Sequence, residues 1–374
     1  MKVCFVTRDC NFFITHRLDL AKKLSKRFKI FLIASNQQSF SKDIEIIQRC
    51  GIEVYHIPIR SSTYKIFGLI NYILCLKKQL KELKPDFVFY VTLEISFIGA
   101  LINNFINIKK SFFLITGLGP FFYRKKIKYQ IIRYLQKCGF LLLRFKKNYL
   151  FIFQNDDDSN EFIEAGITKE KYSTVIRGNG IDLKKFPYSI RKISKKVTFL
   201  FASRLVYSKG INEFLFAASF LKKIYPSSRF IVVGKYDSSD PDSINLNDFS
   251  SLKNNQSIEY SGTIPHDQMP KCFENASVFV MPSYSEGLPK VALEAASTGL
   301  PLLMTNTRGC KDCIEPNVNG LLVNLRDPHD LADKMKIFIE NTELINNYGA
   351  NSAEIIKKKF SLELISKEYL KLLN

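Results

Sequence analysis

The sequence predicts an α/β protein of two doubly wound, Rossmann-like domains that face a cleft. Three observations predict this fold. Strand-like and helix-like stretches alternate along all 374 residues, and most of the strands are continuous apolar runs, which is typical of parallel strands buried on both faces. The alternation stops at residues 184–196, which carry Pro187 and many charges. It then starts again, so we expect one parallel sheet on each side of this break.

The first half contains seven predicted strands. They span residues 2–7, 29–34, 53–56, 87–91, 110–115, 148–153 and 173–176. Helical patterns occupy residues 16–27 and 66–83. A shorter helix is predicted to begin at an N-cap, Asp157 or Asp158, and to end at Gly166 as its C-cap. The run 2–7 predicts a strand and not a signal peptide, because no small-residue cleavage site follows it.

The second half contains six predicted strands and the helices between them. The strands span residues 197–202, 229–233, 257–260, 277–281, 301–304 and 320–323, and the helices span 210–225, 267–275, 288–298 and 328–340, with more helix after Thr342. A last helix, near 362–373, is expected to cross back to the first domain. The predicted boundaries are therefore 1–185 for the first domain, 186–196 for the linker, 197–358 for the second domain and 359–374 for the C-terminal helix.

The composition excludes several classes of protein. Hydrophobic residues make up 46% of the chain, with 32 Phe, which is enough for two packed cores. The eight Cys are scattered, as free thiols of a reducing cytosol are. Cys310 and Cys313 lack a second Cys or His pair at zinc spacing, so we expect no metal and no cofactor. No uninterrupted apolar stretch of about 18 residues predicts a membrane span.

The positive charge is concentrated in the first half. Residues 1–185 hold 32 Lys and Arg against 15 Asp and Glu, whereas residues 186–374 hold 23 against 20. Residues 122–149 carry nine cations and no acid, with apolar residues between them at helical spacing. This pattern favours an anionic membrane surface, where each cation contributes ~1 kcal/mol. The cations that carry this prediction most directly are Arg124, Lys125, Lys126 and Lys128.

Two alternatives to membrane binding exist for this basic segment. It could be a helix packed on the core with a solvated basic edge. A nucleic-acid partner is not expected, because the chain contains no recognised nucleic-acid-binding motif. We therefore expect a cytoplasmic protein that binds peripherally to the inner face of the cytoplasmic membrane.

A pair of cations follows the first strand of the second half. Arg204 and Lys209 lie five residues apart, between that strand and the helix predicted to begin at Gly210. Parallel sheets bind ligands beyond the carboxyl ends of their strands. Backbone N–H groups at a helix N-terminus also attract anions. These two cations could hold a diphosphate and neutralise it as it leaves.

Three further candidate ligand-binding features follow later strands. Gly262, with Thr263 and Ile264, forms a turn in which a flat ring could approach the backbone. The segment 286–289 ends a strand and opens a helix, in which Glu294 lies eight residues after Glu286. One of these acids could bind sugar hydroxyls and the other a ribose diol. Each piece alone is weak, but together they occur in one order, each after a strand and before a helix.

In this order the pieces resemble the family-4 retaining glycosyltransferases of the GT-B fold. The matching residues are Arg204, Lys209, Gly210, Gly262, Glu286, Gly287, Pro289, Leu293, Glu294 and Ala295. Leu288, between Gly287 and Pro289, is expected to bind the donor with them. The resemblance implies that the Arg and the Lys bind the donor diphosphate. It also implies that Glu286 contacts the donor sugar and Glu294 the ribose. Residues 178–182 resemble the Gly-Ile-Asp turn that precedes the linker in that family.

The first half resembles a narrower group, the bacterial capsule, O-antigen and N-glycan enzymes that extend a polyprenyl diphosphate-linked sugar, N-acetylgalactosaminyltransferases among them. Residues 12–17 carry this resemblance, together with Gly117, Gly119 and Pro120. Residues 7–13 lack the glycines that many family-4 members have there. Some members place a catalytic His after a later strand; here His16 is the well-placed His of this half, and local helix packing explains it equally well.

The expected reaction is therefore transfer of a hexose or N-acetylhexosamine from a UDP-sugar to a polyprenyl diphosphate-linked saccharide, with retention and without a metal. A metal-dependent transferase could use residues 156–158, an Asp-Asp-Asp run, although a helix start explains that run better. The same sequence features would also suit a nucleotide-sugar 2-epimerase of this fold or a non-catalytic binding protein.

Overall fold

Two compact units make up the chain. A computed structural model describes residues 1–35, 40–57, 66–119, 127–145, 148–191 and 196–374. Unit 1 comprises Met1–Gly180 and Ile365–Asn374, and unit 2 comprises Ile181–Leu364. Each unit is an open, twisted α/β layer structure, which confirms the predicted fold class of two Rossmann-like domains.

Unit 1 is built on a parallel sheet with the order β3-β2-β1-β4-β5-β6-β7 among its described residues. The chain runs from β1 to one edge, returns, and continues from β4 to the other edge, as in doubly wound folds. The apolar runs explain these strands, since β1, β4 and β5 are buried almost throughout. The strands are β1 (Lys2–Asp9), β2 (Lys29–Ser35), β3 (Glu53–Ile57), β4 (Phe87–Val91), β5 (Lys110–Ile115), β6 (Tyr149–Phe153) and β7 (Ser173–Val175).

The helices of unit 1 confirm one prediction and correct another. The helix predicted at 16–27 is confirmed with shorter bounds, Leu18–Leu24. A separate short helix, Cys10–His16, precedes it, and the carboxylate of Asp9 caps that helix by accepting a hydrogen bond from the Phe12 amide. The short helix after β6 has Asn155 as its N-cap, and neither Asp157 nor Asp158. The helices are α1 (Cys10–His16), α2 (Leu18–Leu24), α3 (Phe40–Gln48), α4 (Ile66–Leu83), α5 (Leu93–Asn103), α6 (Ile127–Leu141) and α7 (Asp156–Glu164). Over the described ranges, we find no helix with the length and apolar character that crossing a membrane requires.

Unit 2 repeats the same winding with the sheet order β10-β9-β8-β11-β12-β13. Its two central strands, β8 and β11, flank the point where the strand order reverses. The strands are β8 (Thr198–Ala202), β9 (Arg229–Val233), β10 (Glu259–Tyr260), β11 (Val278–Met281), β12 (Leu302–Thr305) and β13 (Gly320–Val323). The helices are α8 (Ile211–Ile224), α9 (Leu246–Asn254), α10 (Met269–Glu274), α11 (Lys290–Ser297), α12 (Pro328–Glu340) and α13 (Glu343–Ile355).

The last helix, α14 (Leu362–Leu373), packs on the core of unit 1. Tyr369 is 1% exposed, and its ring meets Phe89 edge to face with 5.9 Å between centroids. Its hydroxyl accepts a hydrogen bond of 3.1 Å from Nη1 of the buried Arg17. The same residue therefore fills apolar space and gives a buried cation a partner.

We predict that Tyr369→Ala destabilises unit 1 by about 3–5 kcal/mol, because it opens a cavity and leaves Arg17 without this partner. Urea unfolding followed by circular dichroism measures the loss. Lys371→Ala, at an exposed position of the same helix, is the matched control and should change stability by less than about 0.5 kcal/mol. Equal effects of the two substitutions would contradict this packing.

Candidate active site

The loop after β8 brings Lys209 to the carboxyl edge of the sheet. A short 3-10 turn, Tyr207–Lys209, ends at Gly210, which has φ +75° and is followed directly by α8. A β-carbon on Gly210 would collide with the carbonyl oxygen of Pro282 in the loop after β11. Glycine is therefore required for the backbone conformation and for the close approach of the two loops.

Lys209 and Glu286 form an ion pair between these two loops. The Lys209 ammonium contacts Oε1 of Glu286, and the two side chains are 18% and 12% exposed. The hydroxyl of Ser283 donates to the same oxygen at 2.7 Å. A pair this far removed from water requires such additional hydrogen bonds to offset its desolvation. The loops after β8 and β11 thus hold a cation and an acid together at the point where the strand order reverses.

Tyr284 ties the same two loops together. Its amide donates to the carbonyl oxygen of Ser208 at 2.8 Å, and its hydroxyl donates to Oε1 of Glu213 on α8 at 2.7 Å. The Arg326 guanidinium lies 4.6 Å from the centroid of its ring. Burial and the hydrogen bond to Glu213 raise the pKa of Tyr284 to about 12, so this hydroxyl stays a donor at neutral pH.

Arg204 pairs with an acid from a different loop. Its guanidinium contacts Oδ2 of Asp240, in the segment between β9 and α9. The Arg204 side chain is 65% exposed, whereas that of Asp240 is 22% exposed. Arg204 is therefore accessible to a ligand while it already has a carboxylate partner.

Glu294 is buried within α11, with its side chain 3% exposed. Its Oε1 lies 3.0 Å from the Lys290 ammonium and 2.7 Å from Nε2 of His266. Burial alone would raise the pKa of Glu294, but Lys290 and His266 outweigh burial, and the pKa lies below its ordinary value of 4.5. Glu294 is therefore an ionised hydrogen-bond acceptor at neutral pH.

The turn after β10 has an open geometry at its glycine. Gly262 has φ +71°, and no heavy atom lies within 4 Å of the position that a β-carbon would take. Its carbonyl oxygen accepts from the Gly234 amide at 2.8 Å, which joins the ends of β9 and β10. Thr263 next to it is exposed, and Ile264 packs partly on the core.

The segment that follows Glu286 is buried and closely packed. Gly287, Leu288 and Pro289 are all buried, and Pro289 is the N-cap of α11. A β-carbon on Gly309, which has φ +71°, would collide with the carbonyl oxygen of Glu286. The Glu286 amide donates to the carbonyl oxygen of Arg308 at 3.1 Å. The loop after β12 therefore supports the backbone that carries Glu286.

The predicted residues of the first half lie in unit 1. His16 ends α1, with its ring centroid 4.6 Å from that of Phe12. Gly117 and Gly119 follow β5 with φ +136° and +68°. Arg124, Lys125 and Lys126 lie outside the described residues, as does the side chain of Lys128.

The triple-aspartate run begins α7, as the helix interpretation predicted. Asp156 pairs with Arg177 at 2.7 Å, and the Asp158 amide donates to the N-cap Asn155. Within the described ranges, no group of three or more His, Cys, Asp or Glu is placed to hold a metal ion.

Several residues of this site were not predicted from the sequence. Lys290 could have been, because it lies one helical turn before Glu294 on the same face. Ser283 could have been predicted less directly, as a hydroxyl three residues before Glu286. The sequence contains no signal for His266 or Asp240, which reach their partners from separate loops.

Two families of known proteins match this chain. Residues 184–355 match the glycosyl transferases group 1, and residues 2–155 match the glycosyl transferase 4-like family. The chain is 26% identical to the N,N'-diacetylbacillosaminyl-diphospho-undecaprenol alpha-1,3-N-acetylgalactosaminyltransferase of Campylobacter jejuni, over 100% of this chain and 98% of that protein.

Two solved structures illustrate the similarity in fold. The sucrose-phosphate synthase of Thermosynechococcus elongatus has a TM-score of 0.81 at 18% identity and covers 100% of this chain and 98% of its own. HepE of Anabaena, in complex with UDP and glucose, has a TM-score of 0.77 at 16% identity and covers 100% and 99%. At these sequence identities the similarity is evidence for the fold alone.

We predict that Gly210→Ala destabilises unit 2 by more than backbone strain alone. Alanine at positive φ costs about 1–2 kcal/mol, and the collision with Pro282 adds about 1–3 kcal/mol of overpacking. Gly51→Ala is the matched control, because Gly51 has φ +74° and no atom within 4 Å of a β-carbon. Urea unfolding should give the larger loss for Gly210→Ala; similar losses would show that the loops can separate freely.

We also predict that the stability difference between the wild type and Glu294→Gln depends on pH. A depressed pKa in the folded state means that the stabilisation is fully present above the ordinary value of 4.5 and is lost as pH falls through the lower folded value. Glu294→Gln should therefore cost about 3 kcal/mol at pH 7, where it removes the buried carboxylate that contacts Lys290 and His266. The difference should shrink below pH 4.5 in urea titrations; a difference that is constant down to about pH 3 would contradict an ionised Glu294.

Proposed function

We propose that this chain, a glycosyltransferase of the GT-B fold, transfers a hexose or N-acetylhexosamine from a UDP-sugar to a polyprenyl diphosphate-linked saccharide with retention. The Lys209–Glu286 pair at the reversal of the unit 2 sheet is the observation that carries the proposal. The Campylobacter relative, named for N-acetylgalactosaminyl transfer on a diphospho-undecaprenol-linked sugar, supports the acceptor. The Anabaena complex with UDP supports the donor nucleotide.

The donor diphosphate would bind against the β8–α8 connection. Lys209 has three N–H donors, so it can bind a phosphate oxygen while it keeps its contact with Glu286. Arg204 offers a planar set of donors that matches phosphate oxygens. The first amides of α8 add further donors at the positive end of a helix. Together these groups would stabilise the negative charge that develops as the diphosphate leaves.

The two acids would orient the rest of the donor. Glu286 lies in a loop, where its second oxygen could accept hydrogen bonds from sugar hydroxyls. Glu294 would accept from the ribose diol, since an ionised carboxylate has about four acceptor positions and its two partners occupy only some of them. Gly262, Thr263 and Ile264 would lie along the base, where the missing β-carbon leaves space for a flat ring. Gly287, Leu288 and Pro289 would hold the backbone beneath the sugar.

Unit 1 would bind the acceptor and the membrane. Gly117 and Gly119 would leave room for the lipid-linked saccharide, and His16 would serve as an acid, a base or a hydrogen-bond donor near it. The basic segment that includes Arg124, Lys125, Lys126 and Lys128 would attract an anionic inner leaflet. The protein would then act as a peripheral enzyme at the surface where its acceptor is held.

We predict that Lys209→Ala lowers kcat/KM by about 10²–10³, because it removes a cation aimed at the leaving diphosphate. The assay offers a panel of nucleotide sugars with a polyprenyl diphosphate-linked saccharide and measures transfer of labelled sugar. Lys223→Ala, at an exposed position near the other end of α8, is the matched control and should retain wild-type activity.

The outcomes of this assay distinguish the possible reactions. Transfer that survives Lys209→Ala would overturn the proposed site. Conversion of the donor without any acceptor would favour a nucleotide-sugar 2-epimerase, and loss of transfer in EDTA would favour a metal-dependent reaction. Retention is checked on the product, whose new anomeric bond should keep the donor's configuration.

A further inference from the structure

The Arg204–Asp240 pair has a consequence for donor binding that rests on the proposed function above. If Arg204 binds the diphosphate, it does so from a position in which Asp240 already contacts Nη1 of its guanidinium. Carboxylate and phosphate present oxygens to an Arg in similar geometry. The two anions can therefore compete for Nη1, the guanidinium nitrogen that contacts Asp240.

Asp240 is the fixed partner of this pair. Its second oxygen, Oδ1, accepts a hydrogen bond of 3.0 Å from the Asp242 amide. Its own amide donates to the carbonyl oxygen of Asp237 at 3.1 Å. The Asp240 carboxylate is therefore held by its own loop, whereas the long and largely exposed side chain of Arg204 is able to adopt another rotamer.

The loop that carries Asp240 is also attached to the loop that carries Arg204. The Leu205 amide donates to the carbonyl oxygen of Lys235 at 3.1 Å, and the Tyr207 amide donates to the carbonyl oxygen of Asp242 at 2.9 Å. The Asp242 carboxylate accepts from the Ser208 amide at 3.1 Å. These contacts on either side fix the distance between Asp240 and the Arg204 backbone, so the competing acid stays within reach of the guanidinium.

The Tyr207 hydroxyl adds a further attachment, to the start of the helix that follows. It donates to Oδ2 of Asp248 at 2.7 Å, and the amide of Asn245 donates to that hydroxyl at 3.1 Å. The hydrogen bond to Asp248 raises the pKa of Tyr207. The segment 235–248 is therefore hydrogen-bonded to the loop after β8, which carries Arg204 and Lys209. Asp240 is the acid of that segment that pairs with Arg204.

We propose that Asp240 is an internal counterion that holds the Arg204 guanidinium in the donor-free enzyme, and that the donor diphosphate displaces it. Asp240 thereby lowers the affinity for the diphosphate by the strength of the pair it forms. It is a positioning residue that acts through Arg204 and sets how tightly the donor, and the nucleoside diphosphate product, are held.

The test is binding of UDP and of inorganic pyrophosphate to the full chain, measured by isothermal titration calorimetry. Asp240→Asn removes the charge but keeps an oxygen that can accept from the Asp242 amide. We expect its Kd for both ligands to fall about two- to fivefold, which corresponds to an exposed ion pair. Uridine, which has no phosphate, should bind the variant and the wild type equally.

Two controls separate this effect from a general change of charge. Asp237→Asn removes the same charge from the same loop, where Asp237 pairs with Lys235 at 3.0 Å, and it should leave the Kd for UDP within experimental error. In an Arg204→Ala background, Asp240→Asn should have no effect on the Kd, because the residue through which it acts is gone. A gain that persists in that background would overturn the inference.

The remaining outcomes also decide the proposal. Weaker or unchanged UDP binding by Asp240→Asn, with normal binding by the wild type, would overturn the counterion role and leave the proposed function standing. Binding of neither UDP nor pyrophosphate by the wild type would overturn the diphosphate site and the counterion role together. In the transfer assay the expected signature of Asp240→Asn is a lower KM for the donor.

Discussion

The ion pair between Lys209 and Glu286 is the contact on which the arrangement of the unit 2 loops depends. It joins the connections that follow β8 and β11, the two strands at which the sheet reverses its order. Such a pair is stable only when the geometry is good and further hydrogen bonds satisfy the acid. Ser283 supplies one of these bonds, and Gly210 and Gly309 allow the backbones to approach closely enough. The site is therefore built by packing of the backbone as much as by its charged side chains.

The other charged residues of the proposed site also have protein partners. Glu294 is held by Lys290 and His266, and Arg204 by Asp240. The two pairs differ in burial, and burial determines what a ligand can do to them. Glu294 is buried and held by its two partners, so a ligand would bind it without displacing its side chain. Arg204 is exposed, so a ligand can draw it away from Asp240.

Much of the fold can be predicted from local sequence patterns. The pairing of side chains within the site cannot. Each predicted strand is confirmed to within two residues at either end, because apolar runs between helical patterns have few other ways to be buried. The helix predicted at 16–27 is observed at Leu18–Leu24, whereas the short helix before it, Cys10–His16, was missed because it depends on one cap, in which the Asp9 carboxylate accepts from the Phe12 amide. The contacts of His266 with Glu294 and of Asp240 with Arg204 join residues that are 28 and 36 positions apart. Only the winding of the sheet brings those loops together, and no local pattern encodes their pairing.

A crystal structure of this chain with UDP bound would show directly whether Lys209 and Arg204 hold the diphosphate. We expect the Lys209 ammonium and the Arg204 guanidinium to lie about 2.7–2.9 Å from phosphate oxygens, with Glu294 on the ribose diol and Arg204 released from Asp240. A diphosphate bound away from the β8–α8 connection, with Lys209 and Arg204 unchanged, would contradict this expectation.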